Sequence, residues 1–442
     1  MEIPDEQAQE ERIVDGGPEP SYVKVMSGYK TFKHEERFQL DYGSSLPRFD
    51  LAYETWGTLN EAKDNAILLH TGLSASSHAA STAENPAKGW WEEFIGPGLA
   101  LDTNRFFVIC TNVLGGCYGS TGPSSPNPDD PKQAPYATNF PILSIFDMIR
   151  AQFLLLDHLG ISTLHASVGS SMGGMQSIAA AHLFPDRVQR LVSISGCARS
   201  APSGIALRYA QRSVLMSDPN WNHGFYYDQS PPHIGMKLAR QIATVTYRSG
   251  PEWEQRFGRQ RRGISHDTAP ENRTPVLCPD FLVETYLDHQ GEQFCLKYDA
   301  NSLIYISKAM DLFDMSDTAL ADLAEQRMKA HGNDGSLPIS PSDVGGEHRR
   351  KRQHIWTLAN PGAHTYMRGL TRGLSRLKDT PALIVGAQSD ILFPVDQQRE
   401  LAECLRVNGN PLVMYYEIDA PHGHDSFLID VASVGGALRG FL

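Results

Sequence analysis

The feature that most constrains the fold is a Gly-Ser-Ser-Met-Gly segment at residues 169–173. It follows a short strand-like run at 164–168 and precedes a helix-forming stretch rich in small residues at 177–183. The segment fits G-x-S-x-G, a sharp turn between a strand and a helix, whose glycines avoid Cβ clashes. The helix dipole and free backbone N–H groups at such a turn favour a developing negative charge. Ser171 is therefore a candidate nucleophile, although the same pattern also occurs in plain glycine-rich turns.

Short apolar strands alternate with helices around this segment. The predicted strands are residues 65–70, 105–111, 164–168, 192–195, 381–386 and 412–418. Apolar residues at helical spacing predict a helix over 144–159. This alternation predicts an α/β protein with a mostly parallel central sheet covered by helices on both faces. Upstream, residues 38–57 alternate in character around a turn at 43–45, which predicts a hairpin.

The pattern changes between residues 200 and 371, where helical segments follow one another without a strand. These segments are 200–217, 234–249, 280–290, 298–313 and 317–330. We predict a catalytic domain from residues 22–199 and 372–442, interrupted by a helical cap at 200–371. Within the cap, residues 331–353 are polar and contain Gly, Pro and Ser, which predicts a flexible loop. The charged residues 1–21 are predicted to be a disordered tail.

Three loops that follow predicted strands carry Ser171, Asp390 and His424, in the chain order of the α/β-hydrolase triad. A serine hydroxyl is a poor nucleophile at neutral pH, so a histidine must accept its proton. A carboxylate must orient that histidine and stabilise its charged form. His422 competes for the role of base, and we favour His424 because it leads directly into a predicted helix start.

An oxyanion hole in this fold combines the N–H after the nucleophile with an N–H from an early strand-to-helix loop. Met172 follows Ser171, and the loop at 70–77 follows the first predicted parallel strand. We therefore predict that the N–H groups of Met172 and Leu73 stabilise the oxyanion.

The composition excludes several other classes of function. The 442 residues carry a net charge of −12, which argues against nucleic-acid or membrane-surface partners. No apolar run reaches the roughly 18 residues that span a bilayer. The six cysteines form no C-x-x-C pair or Cys/His cluster, so we expect reduced, buried thiols and no metal. The sequence contains no P-loop and no G-x-G-x-x-G at a strand-to-helix junction, so it does not predict a nucleotide cofactor.

The amino-terminal sequence is acidic and has no apolar core of the kind found in secretory signals. We expect a cytoplasmic protein, with a mitochondrial location as the alternative if a longer precursor is trimmed. Its partners are expected to be small molecules and a second copy of the chain in a homodimer.

Several motifs together resemble the homoserine O-acetyltransferase family. The similar segments are Ser-Met-Gly-Gly-Met-Gln at 171–176, Gly-Trp-Trp at 89–91, Ile-Gly-Pro-Gly at 95–98, Asn-Val-Leu-Gly-Gly-Cys at 112–117, Thr-Gly-Pro-Ser-Ser at 121–125 and Gly-His-Asp at 423–425. The resemblance covers residues from about 40 to 435 except the loop near 331–353. It implies an α/β-hydrolase fold and transfer of an acyl group from acyl-CoA to an amino-acid hydroxyl, through an acyl ester of Ser171.

The resemblance also implies two contacts to the acceptor amino acid. Arg212 and Asp425 would bind its carboxylate and its amine. It implies no bound cofactor, only acetyl-CoA or succinyl-CoA as co-substrate.

One departure separates this chain from the homoserine enzymes, which usually carry Gly-Asp-Ala-His after the oxyanion loop. Ser76 stands here in place of that Asp, within Ala-Ser-Ser-His at 75–78. This looks more like the fungal branch of the family, which acetylates or succinylates L-serine for cysteine synthesis. Homoserine O-acetyltransferase remains the first alternative, followed by a plain esterase or hydrolase and a non-catalytic binding protein.

Overall fold

The computed structural model describes residues 27–262, 274–331 and 362–442. Within these ranges the strands are β1 Lys30–His34, β2 Phe38–Gln39, β3 Ser45–Leu46, β4 Phe49–Trp56, β5 Ala66–His70, β6 Ile95–Gly96, β7 Leu101–Asp102, β8 Phe107–Thr111, β9 Ala166–Ser170, β10 Leu191–Ile194, β11 Ala382–Ala387 and β12 Val413–Ile418. The helices are α1 Ile145–His158, α2 Met172–Leu183, α3 Pro202–Met216, α4 His233–Tyr247, α5 Gly250–Phe257, α6 Leu282–Cys295, α7 Ala300–Asp311, α8 Asp317–His331, α9 Gly362–Gly373, α10 Val395–Val407, α11 Ser426–Ile429 and α12 Val431–Phe441. The predicted tail at 1–21 and flexible loop at 331–353 lie outside the described residues, apart from the last residue of α8.

Eight strands form the central sheet in the order β1-β4-β8-β5-β9-β10-β11-β12. The six strands from β8 to β12 in this order are parallel, and β4 and β1 extend one edge in antiparallel pairing. The strands predicted for this sheet are confirmed to within two residues. The predicted α/β-hydrolase fold, with a mostly parallel sheet, is therefore confirmed.

The hairpin prediction was only partly right. Residues Phe38–Gln39 and Ser45–Leu46 do pair around the expected turn, but each strand has only two residues. The longer strand β4 leaves this hairpin and pairs instead with β1 and β8 in the central sheet. The apolar residues of β4 other than Trp56 are buried, so the main core provides more stabilisation for them than an isolated hairpin would.

Two helices next to the sheet position the central turn. All residues of α2 are buried, and its small side chains allow it to lie closely between the sheet and α1. Helix α1 begins at a capping box in which Ser144 and Asp147 satisfy each other's backbone N–H groups. Because α2 is buried along its whole length, the residue at its start has a fixed position.

The helices between β10 and β11 form the region that we call the cap. Helices α3, α4, α6, α7 and α8 match the segments predicted as helical, whereas α5 and α9 were not predicted. A buried charge cluster joins the cap to the remainder of the protein. Arg327 of α8 contacts Asp41 at 2.7 Å, and Arg150 of α1 contacts the same carboxylate at 3.1 Å. Burial alone would raise the pKa of Asp41, but these two guanidinium groups hold it well below its usual value. The proposed boundaries of the two domains stay a prediction.

Two expectations from composition can be compared with the structure. Five of the cysteines are free and buried, whereas Cys278 is exposed, so the expectation of buried thiols was wrong at that position. Cys278 lies in an irregular connection next to Val276 and Leu277, whose side chains are exposed as well. Among the described helices, none combines the length and the apolar character needed to cross a bilayer.

Candidate active site

The Gly-Ser-Ser-Met-Gly segment forms a sharp turn at the point where β9 ends and α2 begins. Ser171 has φ of 58° and ψ of −123°, a conformation that side chains other than glycine rarely adopt. Such strain costs on the order of 1–3 kcal/mol and persists where the surrounding structure enforces it. An added Cβ at Gly173 would collide with the carbonyl oxygen of His70, so the turn requires glycine there. The turn presents the Ser171 hydroxyl at the amino-terminal end of α2.

The three residues predicted as a triad meet at this turn. His424 Nε2 lies 2.8 Å from Ser171 Oγ, and His424 Nδ1 lies 2.6 Å from Asp390 Oδ2. All three side chains are buried. This is the geometry in which the imidazole can accept the serine proton while the carboxylate stabilises the resulting charge. His422, the alternative base, lies at the start of the short 3₁₀ helix that carries His424.

Asp390 is held in place by the loop that follows β11. Its Oδ1 accepts backbone hydrogen bonds from Leu392 at 2.9 Å and Phe393 at 2.8 Å. The other carboxylate oxygen therefore remains to accept from His424, and the carboxylate cannot rotate without losing both backbone contacts.

Aromatic rings fix the plane of the histidine. Phe393 stacks on the His424 ring at 5.1 Å, and Phe427 meets it edge-on at 5.2 Å between centroids. These contacts limit the imidazole to one orientation, in which its two nitrogens face Ser171 and Asp390.

The loop predicted to supply an oxyanion donor borders the same space as Ser171. Two hydrogen bonds hold the backbone of this loop. The Tyr298 hydroxyl of the cap donates to the Leu73 carbonyl oxygen at 2.8 Å, and the Gln176 amide of α2 donates to the Thr71 carbonyl oxygen at 2.9 Å. Met172 is the first residue of α2, where a backbone N–H has no partner within the helix. The structure thus brings Leu73 and Met172 to the nucleophile, and their role as donors stays a prediction.

A cavity of about 410 Å³ opens above the triad between the sheet and the cap. The sheet side contributes Ser171, His424 and the 72–75 loop. The cap contributes three arginines that the sequence analysis did not identify: Arg208, Arg240 and Arg248. No motif marks these positions, because Arg208 and Arg240 belong to amphipathic helices, and Arg248 follows one, whose orientation depends on tertiary packing.

The two residues that the resemblance assigned to the acceptor lie in different environments. Asp425 lines the cavity next to His424. Arg212 does not line it; its guanidinium group contacts Asp311 at 2.5 Å and Ser307 at 3.1 Å. Arg208, one turn earlier in α3, faces the cavity instead. The structure therefore does not bring Arg212 to the wall of the cavity, and its contact with a substrate stays a prediction.

Burial raises the pKa of Asp425 to about 6, although the nearby positive charges of Arg248, His424 and Arg240 oppose this shift. Arg248 Nη2 lies 3.8 Å from Asp425 Oδ2. Asp425 is consequently an acid whose charge changes near neutral pH. When ionised, it offers a partly buried anion next to the triad, which suits an ammonium group.

No group of three or more potential metal ligands was found within residues 27–262, 274–331 and 362–442. The chemistry available at this cavity is nucleophilic attack by Ser171, proton transfer by His424 and recognition of charged groups by the cap. The parallel sheet and this serine-centred arrangement together define the class as an α/β-hydrolase-fold protein.

Comparisons with known proteins agree with this class. The family model described as alpha/beta hydrolase fold matches residues 65–431. The serine O-succinyltransferase of Emericella nidulans is 57% identical over 448 residues, covering 98% of this chain and 84% of that protein. The crystal structure of homoserine O-acetyltransferase from Bacillus anthracis has a TM-score of 0.72 at 26% identity, covering 94% and 97% of the two chains. A solved esterase has a TM-score of 0.73 at 27% identity, covering 94% and 100%.

The chain therefore belongs to the homoserine/serine O-acyltransferase family of α/β hydrolases, and it is an acyltransferase. The resemblance inferred from the sequence motifs is confirmed.

Proposed function

We propose that this enzyme transfers a succinyl group from succinyl-CoA to the hydroxyl of L-serine, through an ester of Ser171. The hydrogen-bonded chain from Ser171 through His424 to Asp390 carries this proposal, because it can activate an alcohol twice in one catalytic cycle. The choice of serine and succinyl follows the name of the 57% identical relative.

In the first half-reaction, His424 removes the Ser171 proton and the oxygen attacks the thioester carbonyl. The negative oxygen of the tetrahedral intermediate is stabilised by the N–H groups of Leu73 and Met172. Its collapse breaks the carbon–sulfur bond, and His424 gives its proton to the departing CoA thiolate. The enzyme then holds the acyl group as an ester.

In the second half-reaction, the acceptor hydroxyl occupies the space that the CoA sulfur has left. His424 takes the hydroxyl proton, the acceptor oxygen attacks the ester, and Ser171 recovers its proton from His424. Water must be kept from the same position, because it would hydrolyse the acyl-enzyme. We assign this exclusion to the cap that covers the cavity.

The acceptor's α-ammonium group is proposed to bind Asp425, which lies next to the triad. The family resemblance assigns its carboxylate to Arg212. Arg248 is a second candidate for that contact, because it lines the cavity and lies 3.8 Å from Asp425. An amino acid carries its ammonium and carboxylate groups on one carbon, so neighbouring binding groups of opposite charge suit it.

Two alternatives have specific support. The similarity to homoserine O-acetyltransferase keeps acetyl-CoA and homoserine as candidate substrates. The similarity to a solved esterase keeps hydrolysis as a third activity, with water in place of the acceptor. Ser76, which stands where the homoserine enzymes usually have Asp, favours serine.

A competition assay tests the proposal. The purified enzyme would receive equal serine and homoserine, with succinyl-CoA or acetyl-CoA, and products would be identified by mass spectrometry. We expect O-succinylserine as the main product. O-acetylhomoserine as the main product would contradict the proposal, and equal CoA release with and without an amino acid would identify a hydrolase.

Three further expectations accompany this function as proposals. The O-acyl product converts the serine hydroxyl into a better leaving group, which suits a role in cysteine synthesis; the first alternative would serve methionine synthesis instead. The cytoplasmic location and the homodimeric state stay predictions.

A further inference from the structure

The three arginines of the cavity wall differ in how their charges are balanced. Arg208 Nε lies 2.6 Å from Asp311 Oδ1. Arg248 forms an ion pair with Glu252, and its Nη2 donates a hydrogen bond to the Tyr286 hydroxyl at 2.9 Å. Arg240 forms no ion pair or side-chain hydrogen bond with any residue in the described ranges, and its Nε is buried without a hydrogen-bond partner.

Arg240 is nevertheless held in a defined position. Its guanidinium carbon lies 4.5 Å from the centre of the Phe294 ring and 5.2 Å from that of Tyr247. Contacts of this kind orient a guanidinium group but leave its N–H donors free. The side chain is partly buried and lines the cavity that contains Ser171. A fixed, unpaired guanidinium group is well suited to bind a carboxylate through two parallel hydrogen bonds.

The proposed reaction brings two carboxylates into this cavity. One belongs to the acceptor and lies next to its ammonium group, so it suits Arg248 beside Asp425 or the more distant Arg212. The other is at the far end of the succinyl chain, away from the reacting carbonyl. It has no ammonium group beside it and therefore suits a cation that is not already in an ion pair. The charge of Arg240 acts on Asp425, but the two side chains form no ion pair.

We infer that Arg240 binds the terminal carboxylate of the succinyl group and thereby selects a dicarboxylic acyl donor over a neutral one. This inference rests on the proposed function and deepens it. Arg240 takes no part in proton transfer; it determines which acyl group reaches Ser171. Before the donor binds, Phe294 and Tyr247 keep the guanidinium group ready.

The test compares succinyl-CoA with butyryl-CoA, which has the same number of acyl carbons but ends in a methyl group. The acylation half-reaction is measured as CoA release in a single turnover and as mass added to Ser171. In Arg240→Gln, we expect kcat/KM for succinyl-CoA to fall about 10- to 100-fold, as expected for loss of a charged hydrogen bond. The value for butyryl-CoA should change by less than about threefold, which also shows that the variant folds.

Two further variants sharpen the result. Arg240→Lys keeps the charge but not the paired donors, so it should retain part of the preference for succinyl-CoA. Lys237→Gln removes a cation from the same helix at a position outside the cavity, where Lys237 pairs with Asp288 and Glu292, and should leave the preference unchanged.

Equal losses with both donors in Arg240→Gln would overturn the inference, as would a change confined to the KM for serine. These outcomes leave the proposed function intact if the unaltered enzyme succinylates serine. If the unaltered enzyme does not use succinyl-CoA, the proposed function fails and this inference fails with it.

Discussion

The two walls of the cavity are built in different ways. On the sheet wall, Ser171, Asp390 and His424 follow strand ends and are fixed by backbone hydrogen bonds and aromatic contacts. On the cap wall, Arg240 and Arg248 project from helix α4 and the residue after it. The sheet wall contains what an acyl transfer requires whatever its substrates. The cap wall carries the arginines that we propose distinguish one substrate from another, so we expect changes there to alter selectivity more than chemistry.

The largest effect should come from the sheet wall. Replacing Ser171 with Ala removes the nucleophile, and acyl transfer should fall by at least about 10⁴-fold, as in other serine enzymes of this design. Intact-mass measurements should detect no acyl-enzyme, and circular dichroism should be unchanged. Turnover near that of the unaltered enzyme would contradict the assignment of the chemistry to the sheet wall, because the nucleophile would then lie elsewhere.

An intermediate effect should come from Asp425, which stands where the two walls meet. Its pKa of about 6 means that it becomes neutral below that pH and loses its attraction for the acceptor ammonium group. The kcat/KM for serine should therefore decrease below pH 6 more steeply than the rate of acylation by acyl-CoA. His424 serves both half-reactions, so comparing the two isolates the contribution of Asp425.

Replacing Asp425 with Asn should remove this difference between the two pH profiles. It should also raise the KM for serine about 10- to 100-fold. Asp419→Asn, an exposed position after β12, provides the matched control. If the Asn variant kept the steeper profile for serine, Asp425 would not be the group that binds the ammonium.

The smallest effect should come from the contact that joins the walls. Tyr298→Phe keeps the ring but removes the hydrogen bond to the Leu73 carbonyl, so the oxyanion loop loses one support. We expect kcat to fall by about tenfold or less, with little change in KM. Tyr305→Phe removes a similar bond to Thr138 away from this loop and should leave kcat unchanged. Equal effects of the two variants would indicate a general loss of stability.

The same contrast explains what the sequence could predict. Ser171, Asp390 and His424 lie at strand ends, where local patterns and chain order determine which side chains meet. Arg240 could not be identified in this way, because an arginine in an amphipathic helix usually faces solvent. Its position in the cavity depends on how α4 packs against α3 and α6, which no local pattern records.

Strand β1 and the path of β4 were missed for a related reason. The residues of β1 are mostly exposed or only partly buried, so they give little apolar signal. Strand β4 was recognised as β structure, but its partners are far away in the sequence. Local alternation can therefore predict a strand without predicting which sheet it joins.

The buried pairing of Arg327 with Asp41 limits which part of the cap can move when a substrate enters the cavity. Pulling α8 away would remove one of the two guanidinium groups that balance the buried Asp41 carboxylate and leave Arg150 alone beside it, which is unfavourable for a buried charge. We therefore expect the α8 end of the cap to stay in place. We expect any movement of the cap that admits a substrate to involve helices other than α8, and a movement of α4 would carry Arg240 with it.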